Sequence, residues 1–285
     1  MPDLSSRTIL VTGASSGIGL AASRALAEMG AELVLVGRDP DRLAAAEAEV
    51  RAASRGGAVA ALQCDFASLA DVRALAAEVL RRWPRLHVLV NNAGGVNPVR
   101  GVTVDGFERT FAVNHLAPYL LTRLLLDRLR ASAPARVVTV ASAGHHRGDL
   151  DFDDLQMTKG YRLMRAYGRS KLANILFTRE LARRLAGAAV TAACVHPGEV
   201  STRIWSGAPG FVGALIAVAR WFMLSPEKGA RTIVRLASAP DAEVERLAGL
   251  YLEKGKPAKP SSLARDDAVG RRLWDESARL VGLAP

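Results

Sequence analysis

The sequence has little of what stabilises small secreted or metal-dependent proteins. Of its 285 residues only two are cysteines, Cys64 and Cys194, and they stand in unrelated segments without metal-ligand spacing. We therefore expect neither a disulfide framework nor a metal site. The chain also lacks repeats, low-complexity tracts and linkers. Its 49% hydrophobic residues exclude a disordered, collagen-like or coiled-coil protein.

Long apolar runs and a signal-peptide pattern are missing as well. The most apolar late stretch, residues 211–224, is interrupted by Arg220 and is shorter than the roughly 20 residues that a bilayer-spanning helix needs. The first seven residues lead directly into an apolar run and do not have the layout of a signal peptide. We therefore expect a cytoplasmic protein with no membrane anchor.

Acidic residues are in the minority, with 28 Asp and Glu against 38 Lys and Arg and a formal net charge of +10. Such a balance raises the possibility of nucleic-acid binding. The excess arginines are scattered along helical stretches, however, and do not form one basic run interleaved with aromatic residues. A solvated, arginine-rich surface is the favoured interpretation, and we expect no nucleic-acid partner.

Apolar runs of β type alternate with longer helical patterns along the chain. The runs are nearly continuous, as in parallel strands buried on both faces. Repeated βα units of about 25–30 residues imply one α/β domain over residues 1–285, a doubly wound Rossmann-type fold with helices on both faces of a parallel sheet. The predicted strands cover residues 8–12, 33–36, 58–63, 86–90, 136–141 and 190–195, and predicted helices cover 17–29 and 70–82, with another from Pro40.

A glycine-rich turn connects the first predicted strand to the first predicted helix. Glycines suit a tight turn where the backbone approaches a pyrophosphate, and the helix N-terminus offers N–H groups and a positive dipole to the anion. A glycine cluster alone is weak evidence, but this one follows a strand and begins a βαβ unit. The candidate cofactor-binding residues of the turn are Gly13, Ser15, Ser16, Gly17, Ile18 and Gly19.

The second predicted strand ends in Arg38 and Asp39. A carboxylate at this place usually binds the ribose 2′-hydroxyl of NAD, whereas an arginine accommodates the 2′-phosphate of NADP. Arg38 favours NADP(H) over NAD(H). A register shift of one residue would favour NAD through Asp39, and both residues together with Pro40 would also suit a simple helix cap.

Tyr167 and Lys171 stand four residues apart in a segment with helical periodicity, hence on one helix face. A nearby ammonium lowers the pKa of a phenol and makes the pair a workable general acid and base. Most such pairs are surface neighbours, so the context matters. Ser142 ends the fifth predicted strand, the fourth ends in residues 91–94, and Asn114 stands in an apolar helical stretch.

Together these motifs resemble the short-chain dehydrogenase/reductase family, and within it the retinol dehydrogenase-like branch, which includes protochlorophyllide reductase-like enzymes. The similarity covers essentially the whole chain and includes the Pro197-Gly198 motif. The segments most similar to the branch are residues 113–116, 142–146, 154–156, 170–174, 177–181, 195–198 and 272–274.

The resemblance implies a catalytic tetrad of Asn114, Ser142, Tyr167 and Lys171. Tyr167 would exchange a proton with the substrate oxygen, and Ser142 would orient that oxygen. Lys171 would bind the nicotinamide ribose and lower the pKa of Tyr167, and Asn114 would hold a water that relays protons. The further cofactor-binding residues that it implies are Asp65, Phe66, Asn92, Ala93, Gly94, Pro197, Gly198, Val200 and Thr202.

The chain departs from the simplest family pattern in two ways. Ser142 and Tyr167 are 25 positions apart, and the extra residues around 148–165 resemble an insert expected to form one wall of the substrate site. The membrane-anchoring N-terminal segment of several animal relatives is not matched, which argues against a retinoid substrate.

Residues of about 202–224 are expected to form a substrate lid, with a packed hairpin or a dimer contact as the alternative. The neighbouring His145 and His146 lack further partners for a metal and are expected to line the pocket or to bond within a loop.

The sequence therefore predicts an NADP(H)-dependent oxidoreductase that interconverts a carbonyl and an alcohol on a small, moderately apolar substrate. Reduction of an activated carbon–carbon double bond is the alternative reaction, and a non-catalytic NADPH-binding regulator is the alternative class. The resemblance also implies a homodimer or homotetramer.

Overall fold

A computed structural model describes residues 2–198 and 224–285 of the chain. The expected cofactor contacts Val200 and Thr202 lie outside the described residues. So does the expected lid, apart from Leu224.

The described strands form one sheet, and helices cover both of its faces. The strands are β1 (Thr8–Thr12), β2 (Glu32–Gly37), β3 (Val59–Gln63), β4 (Val88–Asn91), β5 (Ala135–Val140), β6 (Val190–His196), β7 (Tyr251–Glu253) and β8 (Lys256–Pro257). The helices are α1 (Gly17–Ala27), α2 (Pro40–Ala53), α3 (Leu69–Arg82), α4 (Ala117–Ala131), α5 (Leu163–Arg184), α6 (Pro226–Ser238), α7 (Asp241–Glu245) and α8 (Asp267–Leu280). Shorter turns are a helical turn at Arg109–Phe111, a π-helical turn at Ala112–Leu116 and 3₁₀ turns at Ala143–Arg147 and Leu263–Arg265.

The strand order is β3-β2-β1-β4-β5-β6-β7-β8, and all neighbours are parallel except β7 and β8. The chain moves outward from β1 to β3 and then returns to the other side of β1 with β4. Such a reversal leaves a crevice at the carboxyl ends of β1 and β4, where ligands bind in open α/β sheets. The predicted single α/β domain with a doubly wound sheet is confirmed.

The strands bury apolar side chains on both faces, which explains their continuous apolar sequences. On β1, Leu10 belongs to the core beneath α3, α4, α5 and α8, whereas Ile9 and Val11 belong to the core beneath α1, α2 and α6. All three side chains are fully buried. Among the described residues, no helix has both the length and the apolar character that crossing a membrane requires.

Several features of the fold differ from the sequence expectation. The bounds of most strands and of α3 shift by one or two residues, so that β4, for example, begins at Val88 rather than at residue 86. Helix α1 ends at Ala27 rather than Met29, because Gly30 turns the chain with φ 87°. The antiparallel pair β7–β8 was not predicted, since three- and two-residue strands, one containing Pro257, are too short to produce a periodic pattern.

Candidate active site

The glycine-rich turn lies directly against the end of β4. Gly13 has φ 65° and Gly17 has φ 58°, a backbone region that favours glycine. A Cβ on Gly13 would lie 2.9 Å from the Cα of Ala93, and a Cβ on Gly19 would lie 2.3 Å from the carbonyl oxygen of Gly13. Side chains at these positions would collide with backbone, so the close approach requires glycine.

The side-chain amide of Asn92 supports the glycine-rich turn by hydrogen bonding. Its Nδ2 donates to the carbonyl oxygens of Thr12 at 2.8 Å and Gly13 at 3.2 Å. The Thr12 hydroxyl accepts the backbone N–H groups of Asn92 at 2.9 Å and Ala93 at 3.0 Å, and it donates to Val90 O at 3.1 Å. The Asn92 amide thus shapes the glycine turn. Thr12 is a supporting residue that sequence reasoning missed, although a hydroxyl at a strand end was a visible signal.

The start of α1 suits a bound anion. Ser16 occupies the N-cap position in an extended conformation, but its side chain makes no capping hydrogen bond to the first turn. N–H groups at a helix N-terminus, with the helix dipole behind them, bind phosphate groups. With Ser15 and Ile18 half-buried on the same turn, this glycine-lined cradle fits the pyrophosphate of a dinucleotide.

The side chains of Arg38 and Asp39, just after β2, differ in their hydrogen-bond partners. Asp39 is the N-cap of α2, and its Oδ1 accepts the backbone N–H of Arg42 at 3.0 Å. Arg38 is exposed, and its guanidinium has no hydrogen bond or ion pair within the described part of the chain. The helix-cap interpretation therefore holds for Asp39 and leaves the Arg38 guanidinium available.

The residues after β3 also have distinct environments. The Phe66 side chain is buried in the core on the α3 side of the sheet. Asp65 is half-buried, and its Oδ1 accepts the backbone N–H of Ala67 at 3.0 Å. Of the two expected adenine neighbours, only Asp65 presents a partly exposed side chain.

Ser142 and Tyr167 meet at the carboxyl end of β5. The Ser142 Oγ accepts the backbone N–H of Gly144 at 3.1 Å. A Cβ on Gly144 would lie 3.0 Å from Cε1 of Tyr167, so the phenol ring packs directly on this turn. Burial raises the pKa of Tyr167, and a hydrogen bond with the Ser142 side chain opposes that rise.

Lys171 lies one turn after Tyr167 on α5. Its Nζ donates to Val140 O at 3.0 Å and lies 5.7 Å from the centre of the Tyr167 ring. Burial lowers the pKa of Lys171 to about 8. The resemblance implies that Lys171 lowers the pKa of Tyr167. That role stays a prediction: in this structure the ammonium donates to Val140 O, and the Ser142 side chain forms the hydrogen bond that opposes the effect of burial on Tyr167.

Asn114 lies in the π-helical turn, where the N–H of Ala117 bonds to the carbonyl of Ala112 five residues earlier. Its Oδ1 accepts Gly95 N–H at 2.7 Å, and its Nδ2 donates to Gly95 O at 2.9 Å and to Ser170 Oγ at 3.0 Å. The amide therefore fastens the loop after β4 to α5. Its expected part in a water relay stays a prediction.

Gly94 brings the tetrad into contact with the loop after β4. A Cβ there would lie 3.1 Å from Asn114 Oδ1 and 3.5 Å from Lys171 Nζ. The sequence motifs at residues 91–94, 114, 142 and 167–171 thus converge at the carboxyl ends of β4 and β5, next to the glycine turn. Gly198, which follows β6 with φ 89°, packs against Leu224.

The insert at residues 148–165 is bonded on one side to Arg169 of α5 and on the other to the backbone of Glu108. Arg169, which is 2% exposed, donates to Asp154 O at 2.5 Å and pairs with the Asp149 carboxylate at 3.2 Å. Gln156 Oε1 accepts the backbone N–H of Glu108 at 2.7 Å. Sequence reasoning assigned no structural role to Arg169 and named Gln156 only within a segment similar to the branch, because a charged or amide residue in a polar segment is expected at the surface.

Comparisons with known proteins show which family this chain is similar to. The protein-family model for short chain dehydrogenases matches residues 7–209 of this chain. Human retinol dehydrogenase 13 is 41% identical over 283 residues, which cover 97% of this chain and 85% of the relative. A crystal structure of an uncharacterised Mycobacterium paratuberculosis protein has a TM-score of 0.79 and 32% identity, covering 100% of this chain and 96% of that one. A Burkholderia cenocepacia short chain dehydrogenase in complex with NADP has a TM-score of 0.69 and 26% identity, covering 89% and 97%.

The chain belongs to the short-chain dehydrogenase/reductase family, whose fold binds NAD(P). Within that family it is retinol dehydrogenase-like, and it is an oxidoreductase of alcohol and carbonyl groups.

Proposed function

We propose that the protein is an NADP(H)-dependent oxidoreductase that interconverts a carbonyl and an alcohol on a small, moderately apolar substrate. The observation that carries the proposal is the contact of the half-buried Ser142 with the buried Tyr167 beside Lys171, at the same end of the sheet as the glycine turn. The cytoplasmic location and the oligomeric state stay predictions.

The geometry supports a proton transfer at the phenol oxygen of Tyr167. In reduction, Tyr167 gives its proton to the substrate oxygen, and in oxidation the phenolate takes it back. The Ser142 hydroxyl stabilises the phenolate by hydrogen bonding. With a pKa of about 8, the buried Lys171 amine is mostly protonated at pH 7 and contributes positive charge to the site.

A bound nicotinamide dinucleotide would supply or accept the hydride. The residues that would hold it are the glycine turn and the start of α1 at the pyrophosphate, Asp65 near the adenine, and Lys171 at the nicotinamide ribose. The preference for NADP(H) is supported by Arg38, whose guanidinium is exposed and unpaired within the described residues, while the Asp39 carboxylate caps α2. The apolar substrate is supported by the name of the human relative, which refers to retinol.

The test is a steady-state assay with NADPH over aldehydes, ketones and enones, and with NADP+ over alcohols. Tyr167→Phe should lower kcat at least about a hundredfold, because the acid and base is lost. Tyr119→Phe is the matched control, since Tyr119 is buried and its hydroxyl donates to Trp274 O at 3.1 Å, away from the site. Unchanged turnover in Tyr167→Phe would contradict the mechanism. A saturated ketone as the product from an enone would favour double-bond reduction instead.

A further inference from the structure

His145 is a fully buried histidine, and both of its ring nitrogens have partners. Its Nδ1 lies 2.7 Å from the carbonyl oxygen of Ser142, and its Nε2 accepts the backbone N–H of Ser261 at 3.1 Å. A carbonyl can only accept and a backbone N–H can only donate, so the ring is neutral and carries its proton on Nδ1. Burial lowers the pKa of His145, which favours the same neutral form.

The imidazole completes a short turn that carries Ser142. The Ser142 carbonyl also accepts the backbone N–H of His145 at 3.1 Å, and the Ser142 hydroxyl accepts the N–H of Gly144 at 3.1 Å. Gly144 in turn packs on the Tyr167 ring. Any rotation of the Ser142 peptide would therefore move the hydroxyl relative to the phenol that it contacts.

The other side of the imidazole connects this turn to the C-terminal part of the chain. Ser261 follows β8, and the ring of Tyr251 on β7 meets the His145 ring edge to face, with centroids 5.2 Å apart. A polar group that is buried and bonded on both sides resists displacement, because leaving either partner unpaired costs free energy. His145 is thus fixed from two directions.

We propose that His145 is a positioning residue for Ser142: the proton on its Nδ1 holds the Ser142 carbonyl, and the bond from Ser261 holds the imidazole. The inference rests on the proposed function only in that Ser142 takes part in the reaction, by stabilising the Tyr167 phenolate. His145 itself touches no reacting atom.

Two substitutions test the roles of the two ring nitrogens of His145 one at a time. In His145→Asn the amide nitrogen can replace Nδ1 as donor to Ser142, but nothing reaches Ser261. In His145→Gln the amide oxygen can replace Nε2 as acceptor for Ser261, but the donor to Ser142 is lost. We expect His145→Gln to lower kcat about tenfold with unchanged KM for the cofactor, because a small displacement of a positioned group costs this much or more. His145→Asn should keep most of kcat.

His87→Gln is the matched control. His87 is also buried and its Nδ1 accepts the backbone N–H of Thr8 at 2.9 Å, but it lies just before β4, at the amino ends of the strands and away from Ser142. This variant should lose stability and keep kcat. In a Ser142→Ala background, His145→Gln should cost no further kcat, since the residue acts through Ser142. Equal kcat losses in both His145 variants, no loss in either, or an additive loss in that background would overturn the proposal.

Two measurements need no turnover. Nitrogen-15 spectra of the wild-type imidazoles should show His145 neutral with its proton on Nδ1, and a proton on Nε2 would overturn the proposal even where a variant fails to fold. Carbon-13 labelling at tyrosine Cζ should show a shifted Tyr167 signal in His145→Gln and a nearly native one in His145→Asn. An inactive wild type would contradict the proposed function, whereas these spectra would still decide the role of His145.

Discussion

The Asn114 amide donates to the Ser170 hydroxyl over 3.0 Å, and the same hydroxyl donates to the carbonyl oxygen of Tyr167 over 2.7 Å. One buried serine thereby joins the π-helical turn to the helix that carries the phenol. Asn114 and Ser170 are both fully buried, so these bonds are not exchanged for bonds to water.

Ser170→Ala should lower both stability and turnover. Loss of the acceptor leaves one Asn114 N–H unpaired, which costs about 1 kcal/mol in the free energy of unfolding. We also expect kcat to fall several-fold with little change in cofactor affinity, because the position of Asn114 relaxes. Denaturant unfolding and steady-state kinetics measure the two effects.

Thr178→Val is the control for Ser170→Ala. Its hydroxyl also bonds to a carbonyl on α5, that of Asn174 at 2.8 Å, but it does not contact Asn114. Equal kcat losses in the two variants would show that turnover does not depend on the hydrogen bond between Asn114 and Ser170.

The fold and the tetrad were predictable because their signals are local. A strand buried on both faces, such as β1, is recognisable as a continuous apolar run. A turn that requires a positive φ, as at Gly13, is recognisable by its glycine. The supporting bonds were not predictable. His145 was expected to line the pocket or to bond within a loop, but Ser170, His145 and Arg169 each also bond to a partner 15 to 116 positions away, and spacing in one sequence does not show which distant groups meet.

Arg169→Met tests whether the insert depends on one buried guanidinium. Arg169 is 2% exposed and holds both Asp149 and the Asp154 carbonyl. Its loss should lower the free energy of unfolding by about 2 kcal/mol and speed amide hydrogen exchange at residues 149–158. Arg165 pairs with the same Asp149 carboxylate from a more exposed position, and Arg165→Met should cost less than about 1 kcal/mol. Equal effects of the two variants would contradict the assignment.

His115 should make the protein acid-sensitive. The ring is fully buried and burial lowers its pKa from the ordinary 6.5 to about 4, so the folded protein disfavours the charged form. The unfolded chain binds the proton below pH 6.5. Stability is therefore fully present above pH 6.5 and falls as the pH drops toward 4, by a total on the order of 3 kcal/mol from this group. His87 and His145, whose pKa values burial also lowers, add to the same trend.

Thermal unfolding between pH 7.5 and 4.5 measures the His115 effect. His115→Gln loses stability at pH 7.5 but should show a smaller decline with acid than the wild type. A His115→Gln protein with the full wild-type slope would show that other groups cause the acid sensitivity.

Cofactor discrimination should depend on Arg38. If its guanidinium binds the 2′-phosphate of NADP(H), Arg38→Ala removes a charge-assisted contact worth about 1.5–3 kcal/mol, which corresponds to roughly a ten- to hundredfold loss of NADPH affinity. NADH has no phosphate at this place, so its affinity should stay nearly constant. Binding titrations with both cofactors measure the ratio, and Arg55→Ala, an exposed arginine beyond the other end of α2, should leave both affinities unchanged.

Asp39→Asn tests whether the carboxylate after β2 affects the choice between NADPH and NADH. Asparagine is as good an N-cap as aspartate, so the start of α2 should be kept while the charge is removed. A carboxylate near a phosphate repels it, and its loss should raise NADPH affinity slightly and leave NADH affinity unchanged. Equal weakening of both cofactors by Arg38→Ala would make Arg38 a structural residue. A wild-type preference for NADH that Asp39→Asn abolishes would make Asp39 the ribose-binding carboxylate and reverse the cofactor assignment.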